Sequence, residues 1–371
     1  MKKIFFLAIA ATLLAAGCQK TEVLNQVVPD GEPSMSYAPS MGKLTKAASQ
    51  AGLETLQTQN FHLWAYYVKA DPNRVGADPN TIYDGMSNIA VTYSQNTWST
   101  NPIHFWPGKN KALKFFAVSV DETISTGFYG TADSPNIIPD VTESSENYGG
   151  LVINSFEVDP TQPTSDLMVA DYLEQDQSKL DVALNFRHAL SKVQILFKNE
   201  NAKGENPDPK TQVWVQHVEV KNVANVGSLT VKPEPLSALR FDWNPTTTTT
   251  FVADFVGTAA TDLVVNDPAE DAASYTNIST DNCMKLIGDY TEYDTWLVIP
   301  QDISSLNIEI VYVIGDRQFV AKFPLSNDDL LAWAPNQFIK YNINLSPNII
   351  GFNPTVEDWE PAAGQDTNIN E

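Results

Sequence analysis

Apolar positions along this chain recur mostly at every second residue. They form short runs cut off by Gly, Pro, Asn and Asp, the pattern of half-buried β-strands. Leu306, Ile308, Ile310, Tyr312 and Ile314 alternate with Asn307, Glu309, Val311 and Val313. Ile339, Tyr341, Ile343 and Leu345 alternate with Lys340, Asn342 and Asn344. Val182, Leu184 and Phe186 alternate with Ala183, Asn185 and Arg187, and Phe319, Ala321, Phe323 and Leu325 form another one-sided run. Residues 61–68, 113–120 and 295–299 are apolar on both sides and predict central strands. Apolar positions are even through Leu190, then odd at Val193, Ile195 and Phe197. Side chains alternate across a strand, so this phase change predicts a bulge or corner within residues 189–192.

Helical periodicity is scarce. Residues 171–180 and 326–333 predict short helices. Asp328 and Asp329, beside Asn327, sit where acidic and amide residues start a helix, here over 330–333. Many short strands separated by turn residues predict an all-β fold built as a β-sandwich. A chain of 371 residues suits two such sandwiches. The polar stretch Glu174, Gln175, Asp176, Gln177, Ser178 and Lys179 is the expected junction. The expected division is 1–17 signal peptide, 18–46 leader, 47–178 first sandwich, 179–359 second sandwich and 360–371 polar tail. Residues 19–59 are polar, with Pro29, Pro33 and Pro39, and carry at most one weak strand near 35–38. The threonine run 246–250 fits an edge strand or an exposed loop.

The N-terminus adds an address. Lys2 and Lys3 precede an apolar stretch from Ile4 to Ala16, followed by Gly17 and Cys18. This is a signal peptide with a bacterial lipobox, in which Cys18 is acylated and becomes the first mature residue. Ala15 stands where Leu is usual, with Leu14 one place earlier. Acyl chains tether such a protein while its body stays in water. Cys283 is the second of two cysteines. With Cys18 lipidated it has no disulfide partner, and it reads as a small buried hydrophobe. The formal charge is −22. Removing Lys2 and Lys3 leaves 21 basic against 45 acidic residues, or −24. Such a field repels nucleic acid and anionic membrane surfaces.

Catalytic patterns are missing from the sequence. His62, His104, His188 and His217 stand in no metal-type spacing with one another or with Cys. There is no G-x-S-x-G, Walker or G-x-G-x-x-G motif. No enzyme activity, metal or cofactor is expected. Paired acids such as Asp328 and Asp329 are unavoidable in a chain with 45 of them, so they do not argue for a glycosidase. Trp98, Trp106, Trp243, Trp296, Trp333 and Trp359 are dispersed, which core anchoring explains; a sugar-binding face is the alternative.

Four segments carry a family resemblance. They are Ile103-His-Phe-Trp-Pro107 with Leu113-Lys-Phe-Phe-Ala117; Ser165-Asp-Leu-Met-Val-Ala170; Leu184-Asn-Phe-Arg-His-Ala-Leu-Ser-Lys-Val193; and Trp333-Ala-Pro-Asn-Gln-Phe-Ile-Lys-Tyr-Asn-Ile343, ending with Val356-Glu-Asp-Trp359. In this order behind a lipobox, the chain resembles the fimbrillin-like lipoproteins of Bacteroidales, the subunits, tips and anchors of type V pili. The resemblance implies two tandem transthyretin-like Greek-key β-sandwich domains and a lipoprotein carried to the outer membrane. It implies a structural role in a surface fimbria that supports adhesion or biofilm. The implied partners are other fimbrial subunits, copies of this chain among them, and a host or bacterial surface ligand. It further implies that a protease removes the N-terminal strand, usually after Arg, and that a neighbour's strand fills the groove. Here Leu44-Thr-Lys-Ala47 stands at that site, with Lys46 in place of Arg. Either Lys46–Ala47 is cut, or the chain is an unprocessed anchor or accessory subunit. A glycan-binding surface lipoprotein is the alternative function. Residues 360–371 make a poor donor strand. Residues 348–359 make a better one, or else the last strand of their own domain.

Overall fold

The computed structural model describes residues 32–42, 53–68, 80–108, 111–142, 145, 147–161, 164–202, 209–233, 239–253, 255, 263–275, 283–347 and 349–359. The expected signal peptide, Cys18, Lys46, Ala47 and the expected tail 360–371 lie outside these residues. The fold is all-β. Among the described residues the only α-helix is the seven-residue Leu53–Gln59.

Three larger sheets organise the strands. The first runs in the order Ser40–Met41, Asn185–His188, Met168–Ala170, Ala112–Ser119, Phe61–Tyr67, Ile89–Ser94 and Thr97–Thr100. Gln95 and Asn96, both at positive φ, close its last hairpin, as a tight two-residue turn requires. The second orders Thr291–Val298, Ser191–Lys198, Gln337–Ser346 and Ile349–Asp358. The third orders Arg317–Pro324, Asn307–Ile314, Val213–Pro233, Leu151–Glu157 and Ile137–Pro139, with Leu239–Val252 also paired to Val213–Pro233. Val213–Pro233 is 21 residues long and bulged, and serves as the spine of that sheet.

Two apolar cores explain the strands that are apolar on both sides. Leu113, Phe115 and Ala117 face a smaller core with Phe61, Leu63 and Ala65. The intervening Phe116 and Val118, with Trp64, face a larger core shared with Val193, Ile195, Phe197, Val218 and Ile310. Ala112–Ser119 is therefore buried along its whole length. The phase change at 189–192 is a crossing between sheets. Asn185–His188 pairs in the first sheet and Ser191–Lys198 in the second. Ala189 and Leu190 lie fully buried between them. Strand pairing thus carries the first sheet to His188, past the polar stretch 174–179.

Neither expected helix forms. Within 171–180, Leu173–Asp176 is a strand on Ala112–Phe115. At 326–333 the Asn327 carboxamide oxygen accepts from the Asp329 and Leu330 amides, which makes a turn. Ala332–Trp333 then pairs with Gln301–Asp302. Asn307–Ile314 is buried on both faces, not one, since Glu309, Val311 and Val313 are also covered. The threonine run falls in Leu239–Val252, whose middle is exposed.

Candidate functional site

The site of interest is where residues 33–42 cross the edge of the smaller core. This segment is joined to two distant edges. Met35 N donates to His104 O (2.9 Å) and Trp106 N to Pro33 O (3.0 Å). Further along, Ser36–Tyr37 runs parallel to Asp181–Val182, and Ser40–Met41 parallel to Asn185–Phe186. The amides of Ser36, Ala38, Ser40 and Gly42 donate to the carbonyls of Leu180, Val182, Leu184 and Phe186 at 2.7–3.3 Å. Met35, Tyr37 and Met41 are buried in the smaller core with Leu56, Trp106, Val182, Leu184 and Phe186. Three such side chains contribute roughly 5–9 kcal/mol gross. Burial pushes the Tyr37 hydroxyl up to about 12, against a smaller lowering from the neighbouring Thr100 side chain.

The polar residues of the same segment are also engaged. The Ser36 hydroxyl donates to the Asp181 carboxylate. The Ser40 hydroxyl donates to the Asn185 Oδ1 (3.2 Å). Asn185 is itself held, since its Nδ2 donates to Asp171 Oδ2 at 2.6 Å. Arg187 in turn grips Asp171 through two hydrogen bonds of 2.7 and 3.0 Å. The acceptor oxygen facing Ser40 is therefore oriented through Asp171 and Arg187.

The residues singled out for chemistry are structural where they are described. His62 bonds Asn88 Oδ1 (2.7 Å) and stacks on Tyr129. His104 is 3.4 Å from Asp84 Oδ2, and His217 is 3.3 Å from Glu219 Oε2. His188 Nδ1 lies 2.6 Å from Asp166 Oδ2, and its ring stacks on Trp359 at 4.0 Å. That contact joins three of the four resemblance segments. Among the described residues no group of three or more His, Cys, Asp or Glu could hold a metal ion. Cys283 is buried. Trp106 is a core residue, and Trp243 is half-buried, with its Nε1 donating to Ala189 O (2.9 Å). A separate cavity of about 610 Å³ has Thr126, Phe128, Glu157 and Asp159 in its wall.

On the outer face of the third sheet, Glu309 gathers Lys221, Lys322 and Tyr275 at 2.6–3.2 Å. Burial works to raise its carboxyl, but these three donors outweigh it and hold it at about 2. Ile349–Asp358 is the last strand of the second sheet, antiparallel to Gln337–Ser346, with Phe352 stacked on Tyr341 and Phe323. No helix among the described residues is long and apolar enough to cross a membrane.

Sequence reasoning placed a weak strand at 35–38 but not its partners, and it missed Asp181, Asn185 and Asp171. The recoverable signal was the alternation of Met35 and Tyr37 with Ser34 and Ser36.

Comparison with known proteins bears on this arrangement. A family model described as fimbrillin-like matches residues 49–359. The fimbrium subunit Fim1C of Phocaeicola vulgatus is 24% identical over 200 residues, covering 50% of this chain and 49% of that protein. The chain thus matches about half the length of that relative. The crystal structure of a fimbrial protein from Bacteroides vulgatus aligns over 88% of this chain and 99% of its own, with a TM-score of 0.57 and 16% identity. The fold is therefore shared with a fimbrial protein. The family match takes in both edges that hold residues 33–42 and begins just after that segment. This chain belongs to the fimbrillin-like family.

Proposed function

We propose that this protein is a structural subunit of a cell-surface fimbria and that it joins other fimbrial subunits by exchanging the strand at 33–42 for one they donate. The chain reaches the outer membrane as a lipoprotein acylated at Cys18. Cleavage between Lys46 and Ala47 detaches the leader, and the vacated groove accepts an incoming strand. The subunit comprises two tandem transthyretin-like Greek-key sandwiches, with the division at about 178 and the last first-sheet strand ending at His188. One observation carries the reading: a segment N-terminal to Lys46 supplies Met35, Tyr37 and Met41 to a core otherwise made by residues beyond it.

The physics of exchange is favourable. An edge stripped of its strand exposes apolar side chains and unpaired main-chain groups. A donated strand restores the ladder and fills the pockets with alternate side chains. Brief treatment of the purified chain with a Lys-specific protease tests this. Cleavage after Lys46 is expected to lower the melting temperature and to yield oligomers. A product that stays monomeric with an unchanged melting temperature refutes it. The N-terminal residue of protein taken from cells, acylated Cys18 or Ala47, tests the address and the processing site.

A further inference from the structure

The groove has polar stations as well as apolar pockets, and these set which strands can enter it. Asp181 and Asn185 are four residues apart on one wall, and they receive hydroxyls from Ser36 and Ser40, also four apart. Apolar side chains sit on either side of the first hydroxyl, at Met35 and Tyr37, and directly after the second, at Met41. Ser36 is nearly fully buried, so a residue without a hydroxyl there forfeits the bond to the solvent-facing Asp181 carboxylate. Asn185 cannot turn away from position 40 without giving up its bond to Asp171, which Arg187 holds in place. A slip of one residue would move the methionines and the tyrosine off the core and bring an apolar side chain to Asp181.

We infer that Asp181 and Asn185 are register pins, and that the groove selects an extended strand of another polypeptide carrying hydroxyl residues at positions i and i+4 and large apolar residues at i−1, i+1 and i+5. This rests on the strand-accepting reading above and specifies its partner. The chain's own C-terminal part does not carry the pattern. Between Ile349 and Trp359 the only hydroxyl residue is Thr355, with Gly351 and Trp359 four places away. Between Glu360 and Glu371 it is Thr367, with Ala363 and Glu371 four places away. Neither residues 349–359 nor residues 360–371 of a second copy therefore match the two stations.

The experiment uses the full chain with a specific protease site inserted at Lys46, cut once so that the resident leader remains bound without a covalent link. Exchange of that leader against a fluorescent peptide of residues 32–42 is followed by anisotropy. Unlabelled competitors are the same peptide, a Ser36→Ala/Ser40→Ala version, one with both serines moved by one position, and a peptide of residues 349–371. The native peptide is expected to compete best. Each lost hydroxyl weakens competition by about tenfold, the effect of one hydrogen bond of ordinary strength. The shifted and C-terminal peptides compete poorly. In a chain carrying Asp181→Ala and Asn185→Ala, the preference for serine disappears. Equal competition by native and alanine peptides, or effective competition by 349–371, overturns the pin assignment and leaves strand acceptance standing. Failure of the native peptide to enter at all overturns strand acceptance itself, and the pins with it.

Discussion

Replacing Tyr37 by alanine isolates the energetic claim made for the leader segment. Tyr37 is buried among the residues of the smaller core and lies between two main-chain contacts, Ser36 to Leu180 and Ala38 to Val182. Cutting a large aromatic to alanine in a core costs about 3–5 kcal/mol. If that loss falls on the docking of residues 33–42, the opening of this segment becomes roughly a hundred to a few thousand times more frequent, at tenfold per 1.4 kcal/mol. Hydrogen exchange reads the difference directly, because the amides of Ala38, Ser40 and Gly42 are each donated to the neighbouring edge. Those three should accelerate by that factor, while amides of the second sheet, such as Ile195, keep their protection. Val356→Ala serves as a control, because that side chain is exposed at 43% and should change exchange at 38–42 negligibly. Unchanged exchange at Ala38, Ser40 and Gly42 would show that the tyrosine does not hold the segment. Equal acceleration in both regions would show that the segment is not a separable unit.

Three further outcomes follow from the same geometry. Tyr37, raised to about 12, favours the docked state while it is neutral. Its contribution is intact below about pH 10 and is lost as pH rises toward 12, a range worth roughly 3 kcal/mol. Tyr37→Phe should abolish that alkaline loss of protection at residues 38–42. Glu309, held at about 2, stabilises the folded state above its unfolded value near 4.5 and stops doing so as pH falls through 2. Lys221 and Lys322 are half exposed, so screening limits this to about 1–2 kcal/mol; the loss of stability between pH 5 and pH 2.5, read from urea unfolding, should be smaller by about that amount in Glu309→Gln. A methyl group on Gly150 would lie 1.9 Å from the Val231 carbonyl oxygen, so Gly150→Ala should displace Leu151–Glu157 from the long strand. The expected loss is about 1–3 kcal/mol by calorimetry.

Much of the architecture is visible in the alternation of side chains, because one buried face imposes period two. Ser191–Lys198 follows it throughout, and Gln337–Ser346 follows it from Phe338 to Ile343. The double-sided run at 112–119 is equally legible once two cores are admitted, and the phase change at 189–192 is the step between sheets. What the pattern hides is pairing at a distance. Leu173–Asp176 looks polar and helical, yet the Gln175 side chain donates to Lys179 O and Asp181 O, and its backbone pairs with Ala112–Phe115. The ladder there outweighs local propensity. The leader is obscured for a related reason. Its serines suggest solvent, but Ser34 and Ser36 are buried, and the side-chain partners of Ser36 and Ser40, Asp181 and Asn185, lie 145 positions along the chain. No local window can reveal a parallel pairing of that span. Likewise Asp328 and Asp329 suggest a helix start, but Asn327 closes a turn, and Trp333 is then taken up by the Gln301–Asp302 pairing.

The proposed processing step gains its force from a change in molecularity. While residues 33–42 belong to the same chain as the core they complete, they re-dock at the effective concentration of a tethered ligand, on the order of millimolar for a short linker. A free competitor at micromolar concentration would then lose by about a thousandfold, even with identical contacts. Cutting the chain between Lys46 and Ala47 would remove that advantage without altering a single contact in the groove. The detached leader, once it leaves, is diluted, whereas a strand carried by a subunit already docked alongside enjoys the proximity the leader has lost. Matching at Asp181 and Asn185 would then decide among strands that the apolar pockets alone could not distinguish. Proteolysis on this account supplies the permission, and the two polar stations supply the choice.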